Sequence, residues 1–564
     1  MFRCPASLIL FLIMASAASG AIFVVDDDGA GNFTKIQEAI NASEIGDVIV
    51  VQNGTYPENL VVDRSIVLKG EENPVVEGSG LSDPLVTITS EKVTLEGITF
   101  SGSLNDSFGA GAVLVLEDGC KLLNCTIAAS LGNGLNLRDS RDHLVSGNMI
   151  HDNGYGGVCV IRANSSVVIE NQVLRNGKWG IVLGGCVRDE VIKNEVRENG
   201  EVGIQLDGSD FNDVVWNNID LNQEDGIYVI ESRNNVIINN KISGNGFCGV
   251  SLNRAPNNVL VKNIIHNSSE EGLLIIGSSD GVRITENSLY DNGISGICIC
   301  GSYFSTIDQN EIFDNEYNGI SLRDSSSSVL ISDNEIHGNK LYGFYLEDSN
   351  RNLIVQNDVY ANLHGVIMAR SCDNDFVNNK IHDNRFGISL EFSDGVFVSN
   401  NDIYSNPDAG VQIKGCERCK VWENYIRKNG GDGIRVSGLE HSEVSRNLIE
   451  NSSEYGIQAL DHTIQSLFMN NFVLRNGGGG IYIYEGEENG IVSNIIEDNH
   501  NFNARDYGKT NTWFSNFYSD YLIGSASEGD TGTEPYVIQG RRGAITFDLH
   551  PVVLRAILET GGPD

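Results

Sequence analysis

The unit Asn-x-(Ile/Val/Leu)-x-x-Asn, followed a few residues later by Gly-(Ile/Val)-x-(Leu/Ile/Val), recurs through most of this 564-residue chain. Asn310-Glu311-Ile312-Phe313-Asp314-Asn315 with Gly319-Ile320-Ser321-Leu322 is a clear copy. Seventeen copies run from Asn124 to Asn494 at intervals of 22 to 24 residues, those at Asn124 and Asn447 being imperfect. A fixed period of this size makes a solenoid, in which each repeat packs only on its neighbours.

Two solenoids suit the period. A leucine-rich repeat wants Leu-x-x-Leu-x-Leu and a helix or 3₁₀ turn on its convex side. Here the apolar positions are mostly Ile and Val in short alternating runs, with no helical period between them. Each repeat therefore reads as one coil of three short strands and three turns, stacked as a parallel β-helix. The asparagine column then has a physical reason. At the ~4.8 Å strand spacing each amide donates to the coil on one side and accepts from the other. Polar groups at a buried turn are satisfied in this way, and register is fixed.

The chain carries 76 acidic against 38 basic residues, a formal net charge of −38. Such a polyanion excludes nucleic acid as a partner and disfavours anionic membranes. Cations, neutral glycans or basic proteins suit it better. Residues 1–20 resemble a secretory signal: Arg3, then Leu8 to Met14 apolar, then Ala15 to Gly20 small. No later stretch is long and apolar enough to span a bilayer, so no transmembrane anchor is expected after signal removal. The expectation is a secreted, cell-surface or periplasmic chain. Asn124 would then be one of its glycosylation sequons, although its ladder position argues for burial. Ten cysteines remain after Cys4, too sparse for a disulfide framework. Buried thiols, a local disulfide at Cys416/Cys419 and a metal site stay open.

Residues 21–45 read as a strand and a capping helix, with Thr34 and Gln37 spaced as a capping box. The β-helix follows over 46–500. From about Asn501 the repeat stops and aromatics gather (Phe502, Tyr507, Trp513, Phe517, Tyr518, Tyr536), which suits a C-terminal cap or tail over 501–564.

The opening Asp26 to Ile40, with Gly46 to Val51 and Gly54 to Asn59, resembles the start of pectin-lyase-like right-handed β-helix proteins. The Asn-x-Ile-x-x-Asn repeats look like the parallel β-helix repeats of the NosD-like, carbohydrate-binding/sugar-hydrolysis group. The ending is similar too: Asn511-Thr512-Trp513, Asn516-Phe517-Tyr518 and Pro535-Tyr536. The resemblance implies an all-β, single-stranded right-handed parallel β-helix of about 20 coils, with an N-terminal capping helix and an aromatic-rich C-terminal cap. It covers nearly the whole chain but not a chemistry. The Asp-Phe-Ile-Phe-Gly of pectin methylesterases is missing, as are the Gly-His-Gly of polygalacturonases and the Tyr-Gly-x-Asp-x-His of mannuronan epimerases. NosD itself is linked to copper-site assembly. The three methionines beyond the signal and the scattered histidines add little to that reading.

Aligning the coils on the first asparagine turns the text into a surface map. Position +3 reads His266, Tyr290, Phe313, His337, Tyr360, His382 and Tyr404 over seven consecutive coils. Aromatic faces with polar tips suit sugar rings, so Tyr290 to Tyr404 are the candidate carbohydrate-binding residues. Self-stacking on an exposed strand is the alternative. Position +1 holds Glu311, Glu335, Asp358, Lys380 and Asp402. Glu311, Glu335 and Asp358 are like charges stacked on successive coils. Water screening, a shared proton and a bridging cation such as Ca²⁺ are the three ways to hold them.

A second face, near +11 to +13, is largely apolar or neutral (Tyr228/Ile230, Leu274/Ile276, Cys298/Cys300), a surface for the C-terminal tail or a partner. Glu347 and Glu391 lie there two coils apart, the best available catalytic pair. The expected function is an exported carbohydrate-binding or structural module whose partner is a polysaccharide, a glycoconjugate or another surface protein. A polysaccharide lyase, hydrolase or epimerase is the alternative, and a NosD-like copper-assembly factor the second.

Overall fold

The computed structural model describes residues 20–80, 83–106, 111–521, 532, 534–540 and 545–553. The signal-like segment 1–19 lies outside them. Residues 1–176 and 177–564 form two compact units. Each is built from parallel strands paired in register with the coil before and the coil after.

In the first unit the strand Ile22–Val25 pairs with Val48–Val51, which pairs with Val67–Gly70, and that with Thr94–Glu96. The helix spans Ile36–Ala42 and buries Ile36, Ala39 and Ile40. The expected capping box does not form: Lys35 is the N-cap and its side chain makes no capping bond. The Glu58 carboxylate accepts instead from the Ile36 and Gln37 amides, at 2.8 and 3.1 Å. A carboxylate brought from a distant coil thus satisfies the first-turn donors that Thr34 was expected to serve.

Asn124 is a second correction. It is exposed with φ 52°, and Cys125 behind it occupies the ladder position, donating its backbone N–H to Asn148 Oδ1 at 2.9 Å. The imperfect first repeat was thus read one residue early, and the sequon stands on the surface.

The second unit repeats one plan. In one coil Glu311–Phe313, Asn318–Arg323 and Leu330–Ser332 are the three strands, and Glu335–His337 begins the next. Glu311, Ile312 and Phe313 pair with Glu335, Ile336 and His337. No helix occurs among the described residues of this unit. The middle residue of each short strand, such as Ile312 or Ile336, is fully buried.

Most of the bends are made by non-glycine residues in the left-handed region, as at Gln309 (φ 54°) and Asp314 (φ 53°), each just ahead of a ladder asparagine. Such residues cost roughly 1–2 kcal/mol apiece. The ladders behind them offset that cost. Asn310 donates from its backbone N–H and from Nδ2 to Asn334 Oδ1, both at 2.9 Å. Asn315 does the same toward Asn339, so both asparagines of the repeat form ladders. Serines build another: the Ser349 N–H donates to Ser371 Oγ and the Ser371 N–H to Ser393 Oγ. The Ser393 N–H then donates to the Cys416 sulfur at 3.3 Å. None of the ten described cysteines is in a disulfide and most are buried; Cys416 stands where a serine would.

Glycine opens each long strand because the coils touch there. A Cβ on Gly319 would lie 2.4 Å from Ile336 and 2.8 Å from the Gly343 carbonyl. The main ladder ends at Asn516, whose N–H and Nδ2 donate to Asp548 Oδ2 at 3.0 and 2.9 Å. An acceptor-only side chain suits the last rung, since no further coil needs its donors. Asp548 belongs to the antiparallel pair Tyr536–Gln539 and Ile545–Asp548, which joins the strands Ala504–Lys509 and Thr512–Phe514.

Candidate functional site

In the second unit the +3 residues form one continuous column. From His266 through Tyr290, Phe313, His337, Tyr360 and His382 to Tyr404, successive ring centroids lie 4.7 to 5.2 Å apart, with planes within 12° of parallel. In-register strands at ~4.8 Å spacing give every ring the same direction, so each lies flat on the next. The Arg427 guanidinium closes the column, 4.1 Å from the Tyr404 centroid. This geometry corrects one expectation: the ring faces are covered by neighbouring rings. What the stripe turns outward is ring edges, phenol oxygens and imidazole nitrogens.

The +1 column lies beside it, with Glu311, Glu335, Asp358, Lys380 and Asp402 aligned on neighbouring strands. Neighbouring side chains supply partners for three of these carboxylates. The Tyr360 hydroxyl donates to Glu335 at 2.6 Å, and burial together with that carboxylate pushes the phenol pKa up. Asp358 takes Lys380 Nζ at 3.1 Å and faces His382 Nε2 at 3.0 Å. Arg427 donates to Asp402 at 2.9 Å. Glu335 and Asp358 therefore turn toward separate donors. Among the described residues the triads with ligand atoms within 4.8 Å of one another are Cys248–Glu270–Glu271 and Asp26–Asp27–Asp28. Glu311, Glu335 and Asp358, for which water screening, a shared proton and a bridging Ca²⁺ were the three options, are not among these triads.

Glu347 and Glu391 share one column, separated by Ala369. Two coils at ~4.8 Å place them roughly 10 Å apart, beyond the ~6.5–9.5 Å of an inverting pair. Glu347 accepts from the Tyr345 hydroxyl at 2.9 Å and is paired with Arg370. Glu391 lies 3.9 Å from Lys414. Each carboxylate is matched to a surface cation, which disposes neither to act as an acid with the other as base. The described strands of the tail lie on Ala504–Lys509 and Thr512–Phe514.

Sequence reading missed a cluster on the same face. Asp225, Cys248 and Glu271 each precede the glycine of their coil, a column that could have been read from the repeat. Asp225 accepts from the Cys248 N–H at 2.9 Å and the Ser251 hydroxyl at 3.0 Å. The Cys248 sulfur lies 3.6 Å from Glu271 Oε2. Burial pushes the Asp225 carboxyl up to about 6 and raises the pKa of Glu271 and of the Cys248 thiol. These groups resist carrying charge together.

A family described as right handed beta helix region matches residues 110–260, 189–331, 234–376 and 318–473. A cell surface glycoprotein of Methanothermus fervidus is 31% identical over 129 residues, which is 22% of this chain and 21% of that protein. A probable pectinesterase/pectinesterase inhibitor of Arabidopsis thaliana is 34% identical over 101 residues, 16% of this chain and 17% of that one. The chain thus spans about a fifth of the length of the curated relatives it matches. Among solved structures, a periplasmic alginate epimerase aligns at 16% identity and TM-score 0.34, covering 52% of this chain and 78% of that one. The Dettilon tailspike protein aligns at 15% identity and TM-score 0.35, covering 57% and 62%.

Proposed function

The chain belongs to the right handed beta helix region family, and from that premise we propose that it is an exported surface protein that binds carbohydrate along the stripe from His266 to Tyr404. The single observation carrying the reading is the pairing of two columns on one face. Ring edges with polar tips stand beside Glu311, Glu335, Asp358 and Asp402, a surface with many acceptors and apolar ground between them. A chain of hydroxyls lying along it would donate to the carboxylates while C–H edges rest against the rings. Because the faces are spent on one another, the mode is edge contact and hydrogen bonding, not ring-on-ring stacking. The 129-residue likeness to a cell surface glycoprotein supports the extracellular location. Mismatched carboxylate spacing at Glu347 and Glu391 leaves the enzyme reading without an acid–base pair.

Pull-down of the full chain on a panel of insoluble glycans tests this. Wild type is compared with the double variant Tyr360→Phe/Tyr404→Phe, which keeps the stack and removes two hydroxyls. Retention of wild type with reduced retention of the variant supports the stripe. Equal retention of both, or none of either across the panel, removes it.

A further inference from the structure

The second unit contains a cleft of about 400 Å³ between its late coils and the terminal hairpin, lined by Asn501, Phe502, Arg505, Asp520, Tyr536 and Gln539 among others. Arg505 is its unusual member. The chain has twice as many acidic as basic residues, yet no carboxylate among the described residues lies within ion-pair distance of this guanidinium. Its Nε is buried and has no hydrogen-bond acceptor. A buried donor left unmade costs roughly 1–3 kcal/mol, which an incoming acceptor would offset. The group is also held in place: its carbon lies 4.1 Å from the Phe502 ring centroid, and Arg505 stands in register between Tyr482 and Gln539.

The rest of the cleft specifies more. The Tyr536 ring is backed by Tyr518, centroids 3.6 Å apart and planes 6° from parallel, which fixes one aromatic wall. Its hydroxyl donates to the Asp520 carboxylate at 3.0 Å, and Asn503 Nδ2 donates to the same group at 2.7 Å. Asp520 keeps acceptor capacity for a ligand hydroxyl, and its charge repels a second anion. The Asn501 and Gln539 amides offer both donors and acceptors. A pocket of this size takes one small ring with its substituents, and a guanidinium is suited to a carboxylate.

We propose that this cleft binds a single six-membered ring carrying one carboxylate and neighbouring hydroxyls, with Arg505 taking the carboxylate and Asp520 a hydroxyl. The assignment deepens the carbohydrate reading by naming an acidic sugar unit. It uses no residue of the His266–Tyr404 stripe, so either can fail without the other.

Isothermal titration of the full chain with glucuronate, glucose and benzoate tests it. Glucuronate is expected to bind, glucose and benzoate at least about tenfold more weakly. Arg505→Gln is expected to weaken glucuronate by about tenfold or more, Arg505→Lys by less, because the fork is lost but the charge stays. Val537→Trp, at an exposed position on the cleft wall, should block binding while leaving every named hydrogen bond intact. It keeps the test valid if the Arg505 variants fold poorly, which their circular-dichroism melts would reveal. No binding of glucuronate, equal binding of glucose, benzoate as tight as glucuronate, or folded variants that bind as wild type would each overturn the proposal.

Discussion

Two columns of the second unit stand three residues apart on the same strands and obey different rules. The column of Asn310 is asparagine in every coil from Asn194 to Asn494, and it is buried. The column of Phe313 holds His, Tyr and Phe in no fixed order from His266 to Tyr404, other residue types in the coils on either side, and is half-buried over the stripe. The difference is one of tolerance. An interior rung must offer an acceptor to one neighbour and a donor to the other, and among uncharged side chains of this length asparagine does both. A rung of the stripe needs only to be flat, because stacking asks for a ring and not for a particular heteroatom. The same spacing therefore dictates residue identity inside and only residue shape outside.

The largest test attacks the interior rule. Asn334→Asp keeps size and acceptor but loses the Nδ2 that donates to Asn357 Oδ1 and to the Ile307 and Ser332 carbonyls. One oxygen of the carboxylate keeps the two Asn310 donors, but the other, in the place of Nδ2, faces only acceptors. Buried with that oxygen unmatched, the charge is expected to destabilise by roughly 3 kcal/mol at pH 7. Protonation restores a donor, so the folded pKa of the introduced acid is raised and stability falls as pH rises through it. Denaturant melts at pH 4 and pH 7 should show the larger loss at pH 7. A pH-independent loss would mean that the rung needs only shape, and the contrast with the stripe would collapse.

The next sharpens the comparison with a column that is half-buried and varied, that of Asp225, Cys248 and Glu271. Folding raises the Asp225 pKa from 3.8 to about 6. The folded chain therefore holds a proton that the unfolded chain releases, and stability is lost as pH rises from about 4 through 6. Asp225→Asn keeps an acceptor for the Cys248 N–H and removes the charge. It should be more stable than wild type at pH 7 by an amount on the order of 2–3 kcal/mol, the gain vanishing toward pH 3.5. A wild type as stable at pH 7 as at pH 4 would put a compensating cation beside this column.

These cases also mark how far the fold was legible. Period, strand count and ladder were readable because each is a repetition, and repetition is what a solenoid imposes on a sequence. The columns of Phe313 and Glu311 were placed on one face for the same reason. What the rings do to each other was not readable: a list of aromatic positions does not say that all seven lie nearly parallel and cover one another's faces. Asn124 misled because an asparagine in the left-handed slot looks like one in the ladder next to it. Glu58 over the helix start, and the cleft at Arg505, depend on contacts made where the repeat breaks down, so periodicity carries no information about them.

A smaller effect tests the exterior rule. Phe313→Leu keeps apolar bulk but removes the ring that lies 4.8 Å from Tyr290 and 5.2 Å from His337. Two aromatic pairs are lost, each worth about 0.5–1.5 kcal/mol beyond area. A loss of about 1–2 kcal/mol is expected, whereas Phe313→Tyr should be near neutral. If Tyr is as costly as Leu, identity matters outside as well as inside.

The smallest effect asks whether polar tips or ring faces hold the stripe. The Tyr360 hydroxyl donates to Glu335 at the solvent-facing edge of a half-buried ring, where water replaces either partner at little cost. Tyr360→Phe preserves both stacked neighbours, His337 at 4.8 Å and His382 at 5.1 Å. Its expected cost is about 0.5 kcal/mol, at the low end for a single hydrogen bond, and denaturant melts of the two variants side by side would resolve it from Phe313→Leu. Should removing one oxygen cost as much as removing one ring, the column would be held by its hydrogen-bonded edge. The edge would then be committed to the protein's own carboxylates and no longer open to a ligand.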